Sequence, residues 1–374
     1  MDGRPATVPG CRRSGCGRHR HPHGSIRRRR QGHPGRAGGI RCGPEPRWRR
    51  SPLIPVESME TLVEHVHRLH KAELHVHLEG TGDAAALRGM LAARNAAVPD
   101  DLDTLFVHDG FREFLDHFRG ILDVMGHAED YGWLAGRYLD SAAAQGVRHV
   151  EFYLSLGAAV RRGLPARSLL ESIGDAVDRR RESITASVLV DCVRQFGVEE
   201  AAATLDAALE HADLHLISGF GLGGDEHSQP AKEFAPVFAR ARERGLHTVV
   251  HAGEVGGPLE VEQVLRHLRP HRIAHGIGAA QSPALLARLA EEKITLDVCL
   301  TSNLRTGAVA RLGEHPLPQL LRAGVSVSLG TDDPGMFGTD LTREYLLVVE
   351  ELGLTTRVLQ TLADNSLKAA FPLP

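Results

Sequence analysis

Two histidines separated by a single residue, His75 and His77, carry the first chemical signal in the chain. They lie in a short apolar segment, and in a β-strand this spacing places both imidazoles on one face. Two neutral imidazoles side by side are half of a typical zinc site. Because the chain contains 22 histidines, the pair alone is weak evidence, and its interpretation depends on the residues further along the chain.

Four later apolar segments are also followed by histidine or acidic residues. They lead into Gly-Leu-Gly-Gly-Asp-Glu at 221–226, His-Ala-Gly-Glu at 251–254, His-Gly at 275–276 and Thr-Asp-Asp-Pro at 331–334. Any one of these groups could be an ordinary surface or capping group. Polar residues at five such positions together indicate an active site.

The elements that must position these groups are eight apolar segments that alternate with amphipathic helical ones. Their near-continuous apolar character predicts strands buried on both faces. The predicted strands are 73–79, 149–155, 185–193, 214–220, 247–251, 272–276, 294–299 and 325–329. Eight strand–helix repeats predict an α/β fold, a (β/α)8 TIM-type barrel over residues 70–374. A doubly wound sheet is the alternative, but no Gly-x-Gly-x-x-Gly follows the first strand.

In such a barrel the carboxyl ends of the strands meet at one mouth, which brings the polar groups together. Two histidines of the first strand, a third from strand five and a carboxylate from strand eight supply three nitrogens and an oxygen. This donor set suits zinc and leaves a position for water, whose pKa the metal lowers. Glu254, three residues after His251, is placed for general acid–base chemistry, and His275 for orienting or deprotonating the water.

The long interval between the first two predicted strands contains a predicted helix from Phe111 to about Met125. Apolar residues recur there at helical spacing, namely Phe111, Phe114, Leu115, Phe118 and Leu122. Core packing explains such a stripe. The alternative is an apolar lid over the barrel mouth, because long insertions after barrel strands lie at the active face.

Composition separates an acidic body from a basic leader. Residues 1–50 contain 14 Arg and two acids, so +12, whereas the remainder has 30 basic and 45 acidic residues, so −15. The Arg-, Gly- and Pro-rich leader, 1–55, is predicted to be disordered and without function, with Met59 as an alternative start. No apolar run approaches the length of a membrane span. Few, isolated cysteines in the body indicate a reducing cytoplasm.

The segments Glu-Leu-His-Val-His-Leu-Glu-Gly, His-Ala-Gly-Glu, His-Gly and Thr-Asp-Asp-Pro, in this order, resemble the adenosine deaminase family of the amidohydrolase superfamily. The resemblance covers about residues 70–371. It implies a hydrolase that removes the 6-amino group of a purine with one Zn²⁺ per chain and a small-molecule partner. The two-metal members of the superfamily usually have a bridging Lys after strand four, where this chain has Gly223 and Gly224.

The resemblance also implies individual roles. The zinc ligands would be His75, His77, His251 and Asp332. Glu254 would protonate purine N1, His275 would act on the attacking water, and Asp333 would hold N7 and align the water. The substrate contacts would come from His77, Glu79, Phe111, Phe114, Leu115, Phe118, Gly224 and Asp333. Gly224 would donate its N–H to purine N3, and the phenylalanine stripe would form an apolar gate near the ribose.

Residue 79 bears on the choice of substrate. Deaminases of adenosine generally have Asp at this position, whereas Glu79-Gly-Thr resembles adenine deaminases and some deaminases of 6-aminodeoxyfutalosine. Adenosine is the first expectation, and the other two compounds are alternatives. A non-enzymatic alternative is nucleic-acid binding through the basic leader, although we do not expect a nucleic-acid partner. The sequence does not predict an oligomeric state.

Overall fold

The computed structural model describes residues 59–372, and the leader predicted at 1–55 lies outside this range. Eight parallel strands follow one another around a single sheet in chain order. They are β1 Lys71–His77, β2 Val147–Leu154, β3 Thr185–Val193, β4 Ile217–Gly223, β5 His247–Ala252, β6 Arg272–His275, β7 Thr295–Val298 and β8 Ser326–Leu329. All eight predicted strands are present, so the predicted barrel is confirmed.

Helices surround the sheet and connect its strands. They are α1 Met59–Arg68, α2 Ala84–Ala93, α3 Phe111–Val124, α4 Ala128–Ala144, α5 Leu156–Arg161, α6 Ala166–Asp178, α7 Val198–Glu210, α8 Ala235–Glu243, α9 Gly257–His267, α10 Pro283–Glu291, α11 Leu300–Arg305, α12 Leu317–Arg322, α13 Pro334–Phe337, α14 Leu341–Glu350 and α15 Thr356–Ala369. Helix α3 is the one predicted in the insertion. Among residues 59–372, no helix is long and apolar enough to cross a membrane.

Side chains fill the inside of the barrel in layers, as the alternation of each strand requires. One apolar layer contains Tyr153, Leu189, Val249 and Ala274, all buried. Two residues earlier on β6, the buried guanidinium of Arg272 pairs with carboxylates of neighbouring inward positions, with Nε 2.9 Å from an oxygen of Asp297. The apolar layer and the layer of Arg272 lie below a third layer of side chains at the carboxyl ends of the strands, where the predicted site residues lie.

The barrel closes through backbone hydrogen bonds between β1 and the turn that follows β8. The N–H of Asp332 donates to the carbonyl of His75 at 3.0 Å, and the N–H of His77 donates to the carbonyl of Asp332 at 2.7 Å. Asp332 adopts a left-handed conformation with φ of 64°, which is unfavourable for a non-glycine residue. Closure therefore holds three of the proposed metal ligands against one another.

Seven of the eight predicted strands differ at one or both ends by one to three residues, and two of these differences bear on the site. Strand β1 ends at His77, and Glu79 lies in a 3₁₀ turn, Glu79–Thr81, so it does not share the strand face of the two histidines. Strand β4 ends at Gly223, three residues later than predicted. The predicted strand stopped at Phe220, whereas Gly221 and Gly223 lie within β4 and face the side chain of Asp191 on β3.

Candidate active site

Four buried side chains converge at the carboxyl ends of β1, β5 and β8. The Nε2 atom of His251 lies 3.1 Å from Nε2 of His75 and 3.2 Å from Nε2 of His77. One oxygen of Asp332 lies 3.4 Å and 3.3 Å from the same two nitrogens of His75 and His77. The sequence predicted this set of four, and the structure brings them together with their candidate ligand atoms within 4.8 Å of one another.

The spacing of these atoms fits a metal ion. Zinc–nitrogen bonds of about 2.0–2.1 Å in a tetrahedron imply ligand–ligand distances of about 3.3 Å. The second nitrogen of two rings faces a backbone carbonyl, since Nδ1 of His75 lies 3.2 Å from the carbonyl oxygen of Asp297 and Nδ1 of His251 lies 3.2 Å from that of Leu222. A carbonyl only accepts, so each Nδ1 carries the proton and each Nε2 is free to bind a metal.

Asp332 has a second oxygen that is also held. The hydroxyl of Ser302, at the start of α11, donates to it at 2.6 Å. This contact leaves the other oxygen facing the histidines. Hydrogen bonds to ligating carboxylates and imidazoles orient the ligands of metal sites, and this cluster has such support at three of its four members.

Glu254 and His275 lie side by side next to the cluster. Oε2 of Glu254 is 3.6 Å from Nε2 of His275, and the hydroxyl of Thr306 donates to Oε1 of Glu254 at 2.8 Å. Burial, together with the carboxylate of Asp332, raises the pKa of Glu254 well above its usual range. Burial and the nearby His75 ring lower the pKa of His275 to about 3. The pair thus combines a carboxylic acid that retains its proton with a neutral imidazole.

Asp333 occupies a close-packed position above the 3₁₀ turn. A Cβ atom on Gly80 would lie 1.8 Å from Oδ1 of Asp333, so only glycine leaves room for this carboxyl group. Oδ1 of Asp333 is buried and has no hydrogen-bond partner among the described residues. Burial and the adjacent Asp332 raise the pKa of Asp333 well above its usual range, which favours a protonated carboxyl able to donate a hydrogen bond.

A cavity opens directly over these groups. It is lined by three of the four clustered side chains, by Glu254, His275 and Asp333, and by the apolar stripe of α3. The ring of Phe118 lies 6.1 Å from that of His77 between centroids, and the buried Phe114 packs 5.0 Å from Phe337. The stripe therefore packs into the core at Phe114 and also forms one wall of the cavity, and its action as a lid stays a prediction.

Two further predicted contacts occupy different places. Gly224 lines the cavity with φ of +91°, and a Cβ atom there would lie 2.2 Å from the side-chain oxygen of Gln195. Glu79 is buried and accepts a hydrogen bond from the N–H of Ser155 at 2.9 Å. Ser155 lines the cavity, whereas Glu79 lies behind it. A contact between Glu79 and substrate stays a prediction.

The sequence interpretation assigned no role to Glu226, although it ends the Gly-Gly-Asp-Glu segment. Its carboxylate accepts from the N–H groups of Gly253, Glu254, Val255 and Gly256 at 2.7, 2.8, 3.1 and 3.2 Å. One side chain thus holds the loop that carries Glu254. Asp191 was also missed, and its signal was a single carboxylate within the apolar segment of β3.

The fold and this site define a class. A sequence model of the family described as "Adenosine deaminase" matches residues 70–373. The chain belongs to the adenosine deaminase family, which confirms the resemblance predicted from its motifs. It is accordingly a deaminase, a hydrolase that acts on carbon–nitrogen bonds of aminopurine-like substrates.

Several relatives carry more particular names. An aminodeoxyfutalosine deaminase of Streptomyces coelicolor is 39% identical over 348 residues, 90% of this chain and 89% of the relative. A protein of the same name from Streptomyces avermitilis is 40% identical over 81% of this chain and 87% of its own length. An adenine deaminase of Chelativorans is 36% identical over 81% of this chain and 94% of its own length.

Solved structures show the same architecture. The adenine deaminase of Arthrobacter aurescens superposes with a TM-score of 0.76 at 29% identity, covering 81% of this chain and 94% of that one. A Burkholderia ambifaria amidohydrolase with bound Zn superposes with a TM-score of 0.78 at 26% identity, covering 86% of this chain and 90% of that one.

Proposed function

We propose that the protein catalyses hydrolytic deamination at C6 of a 6-aminopurine with one zinc ion, held by His75, His77, His251 and Asp332. The observation that carries the proposal is the pairing of Glu254 with His275 at 3.6 Å on a cavity that three of the four proposed metal ligands line. An acid and a neutral base beside a metal site are the groups that hydrolysis of an amidine requires.

The residues divide the chemistry among them. A zinc ion held by the four proposed ligands would supply the Lewis acidity that lowers the pKa of a water molecule. His275 accepts a proton from the water whose oxygen adds to C6. Glu254 gives its proton to N1, so that negative charge does not build up on the ring. His275 then returns its proton to the 6-amino group, which leaves as ammonia, while the hydroxyl on C6 loses its proton to Glu254 and becomes the carbonyl. Asp333 donates to N7, and Gly224 donates its N–H to N3.

The proposed substrate is an aminodeoxyfutalosine, with adenine as the second candidate. The Streptomyces relatives named for the former are 39% and 40% identical, against 36% for the Chelativorans adenine deaminase. Arg119 and Arg162 also line the cavity, where guanidinium groups can donate to acceptors on the substituent of a 6-amino nucleoside larger than a free base. Adenosine, the first expectation from the sequence, is not in the name of any relative cited above.

A substrate panel tests the proposal. The purified full chain, loaded with zinc, is assayed for ammonia release from aminodeoxyfutalosine, adenine and adenosine. We expect the highest kcat/KM with aminodeoxyfutalosine. The Glu254→Gln variant should retain zinc and lose turnover, because an amide cannot protonate N1. Absence of turnover with all three compounds would refute a 6-aminopurine deaminase, and preference for adenine would select the second candidate.

A further inference from the structure

A carboxylate without an assigned role lies in the same layer as the metal-binding residues. Asp191 is on β3, is 3% exposed and lines the cavity. Its Oδ1 atom has no hydrogen-bond partner among the described residues. A buried carboxylate that lacks a partner costs free energy, so its presence on an otherwise apolar strand calls for a compensating donor.

The neighbouring strand is shaped around this side chain. Asp191 pairs with Gly221 in the register of β3 and β4. A Cβ atom on Gly221 would lie 2.4 Å from Oδ1 of Asp191, and one on Gly223 would lie 2.4 Å from Oδ2. Glycines inside a strand weaken it, and here two alternate glycines vacate the space that the carboxylate fills.

Two other acceptors on this side of the molecule are less suited to bind a ligand. The side-chain oxygen of Gln195 accepts from the N–H of Asp225 at 3.0 Å. Oε2 of Glu79 has no hydrogen-bond partner among the described residues, but Glu79 does not line the cavity. Asp191 is thus the carboxylate available to a ligand on the β3–β4 side of the cavity.

The expected ligand group follows from the proposed function, on which this inference rests. Glu254, after β5, faces N1 of the purine, Asp333, after β8, faces N7, and Gly224, after β4, faces N3. The adjoining β3 therefore faces the N3–N9 edge. On that edge the donors are N9–H in a free base and the sugar hydroxyls in a nucleoside.

We propose that Asp191 is a specificity-determining residue that accepts a hydrogen bond from the donor on the N9 side of the substrate, either N9–H or a sugar hydroxyl. The test compares wild type with Asp191→Ala and Asp191→Asn by steady-state kinetics on adenine, adenosine and aminodeoxyfutalosine, with zinc content measured for each protein. Cys192→Ala is the matched control, since this neighbouring residue of β3 is buried and does not line the cavity.

Loss of this hydrogen bond leaves a donor of the substrate without a partner, so KM of Asp191→Ala should rise about tenfold, with kcat and zinc content unchanged. Asp191→Asn should have a KM close to that of wild type, because its amide oxygen still accepts a hydrogen bond. Cys192→Ala should match wild type in both KM and kcat. An increase in KM that is confined to adenine assigns the donor as N9–H, and an increase in KM that is confined to nucleosides assigns it as a sugar hydroxyl.

An unchanged KM in Asp191→Ala overturns the inference while leaving the proposed function intact. Loss of zinc or a fall in kcat alone also overturns it, because Asp191 would then support the metal site. Failure of the proposed function is seen separately, as absence of turnover by wild type.

Discussion

Replacement of Glu226 by Gln tests whether a single carboxylate positions the acid of the site. Glu226 is buried, and its two oxygens accept four backbone N–H groups from residues 253–256. Glutamine has nearly the same shape but only one accepting oxygen. Two of the four N–H groups would then face an NH₂ group, and the loop would have to move.

The size of the effect depends on how many hydrogen bonds the substitution removes. A hydrogen bond to a charged group contributes about 1.5–3 kcal/mol, so the loss of two such bonds weakens the observed loop conformation by roughly 3 kcal/mol or more. If Glu254 must occupy its observed position in the transition state, this corresponds to a fall in kcat of about 100-fold. KM should change less, because the cavity wall formed by α3 is not part of this loop.

The assay is steady-state deamination by purified Glu226→Gln, with bound zinc and thermal unfolding measured on the same sample. Glu233→Gln is the control, since Glu233 is exposed and lies on a nearby segment. We expect zinc content near one per chain, because His251 is held within β5. A variant with zinc bound and kcat within threefold of wild type would show that Glu226 does not position Glu254.

Three further perturbations have defined outcomes. Removal of zinc by a chelator should lower the Tm, because four converging ligands are left without a cation. Added zinc should restore the Tm. An unchanged Tm would contradict a metal site. Phe118→Ala should raise KM about tenfold with zinc retained, because the substitution removes roughly 1.5–3 kcal/mol of apolar contact from the cavity wall. An unaltered KM would show that this wall does not bind substrate. Burial, with Arg272, lowers the pKa of His149 to about 4. The imidazole of the unfolded chain binds its proton near pH 6.5, so the free energy of unfolding should fall as the pH is lowered from 6.5 to 4. In His149→Gln this fall should be less steep. Urea titrations that give the same pH dependence for both proteins would refute this.

Much of the fold and of the site could be predicted because the information is local. Eight apolar segments with polar residues at their ends specify strands and the side of the barrel at which their side chains meet. The identities of His75, His77 and His251 at three such positions predict a metal site, for which we propose zinc. The predicted insertion helix likewise depended on a spacing that is visible in the sequence alone, and α3 begins at Phe111 as predicted.

The ends of the strands and the contacts between distant side chains could not be predicted in the same way. Glu79 was predicted to be the last residue of the first strand, whereas β1 ends at His77 and the chain turns there, so that Gly80 packs against Asp333. The fourth strand was predicted to end at Phe220, whereas Gly221 and Gly223 belong to β4 and leave the space that the side chain of Asp191 fills. In each case a contact between distant segments outweighed the local preference.

The sequence by itself determined the residue types of the site, the order of its strands and the family. Only the tertiary structure decided that Glu226 holds the loop of Glu254, that Asp191 faces the cavity, and that Asp332 is placed by the bonds that close the barrel. The physical reason is that residue spacing records periodicity along one element, whereas register between strands and the closure of the sheet arise from packing of the whole chain.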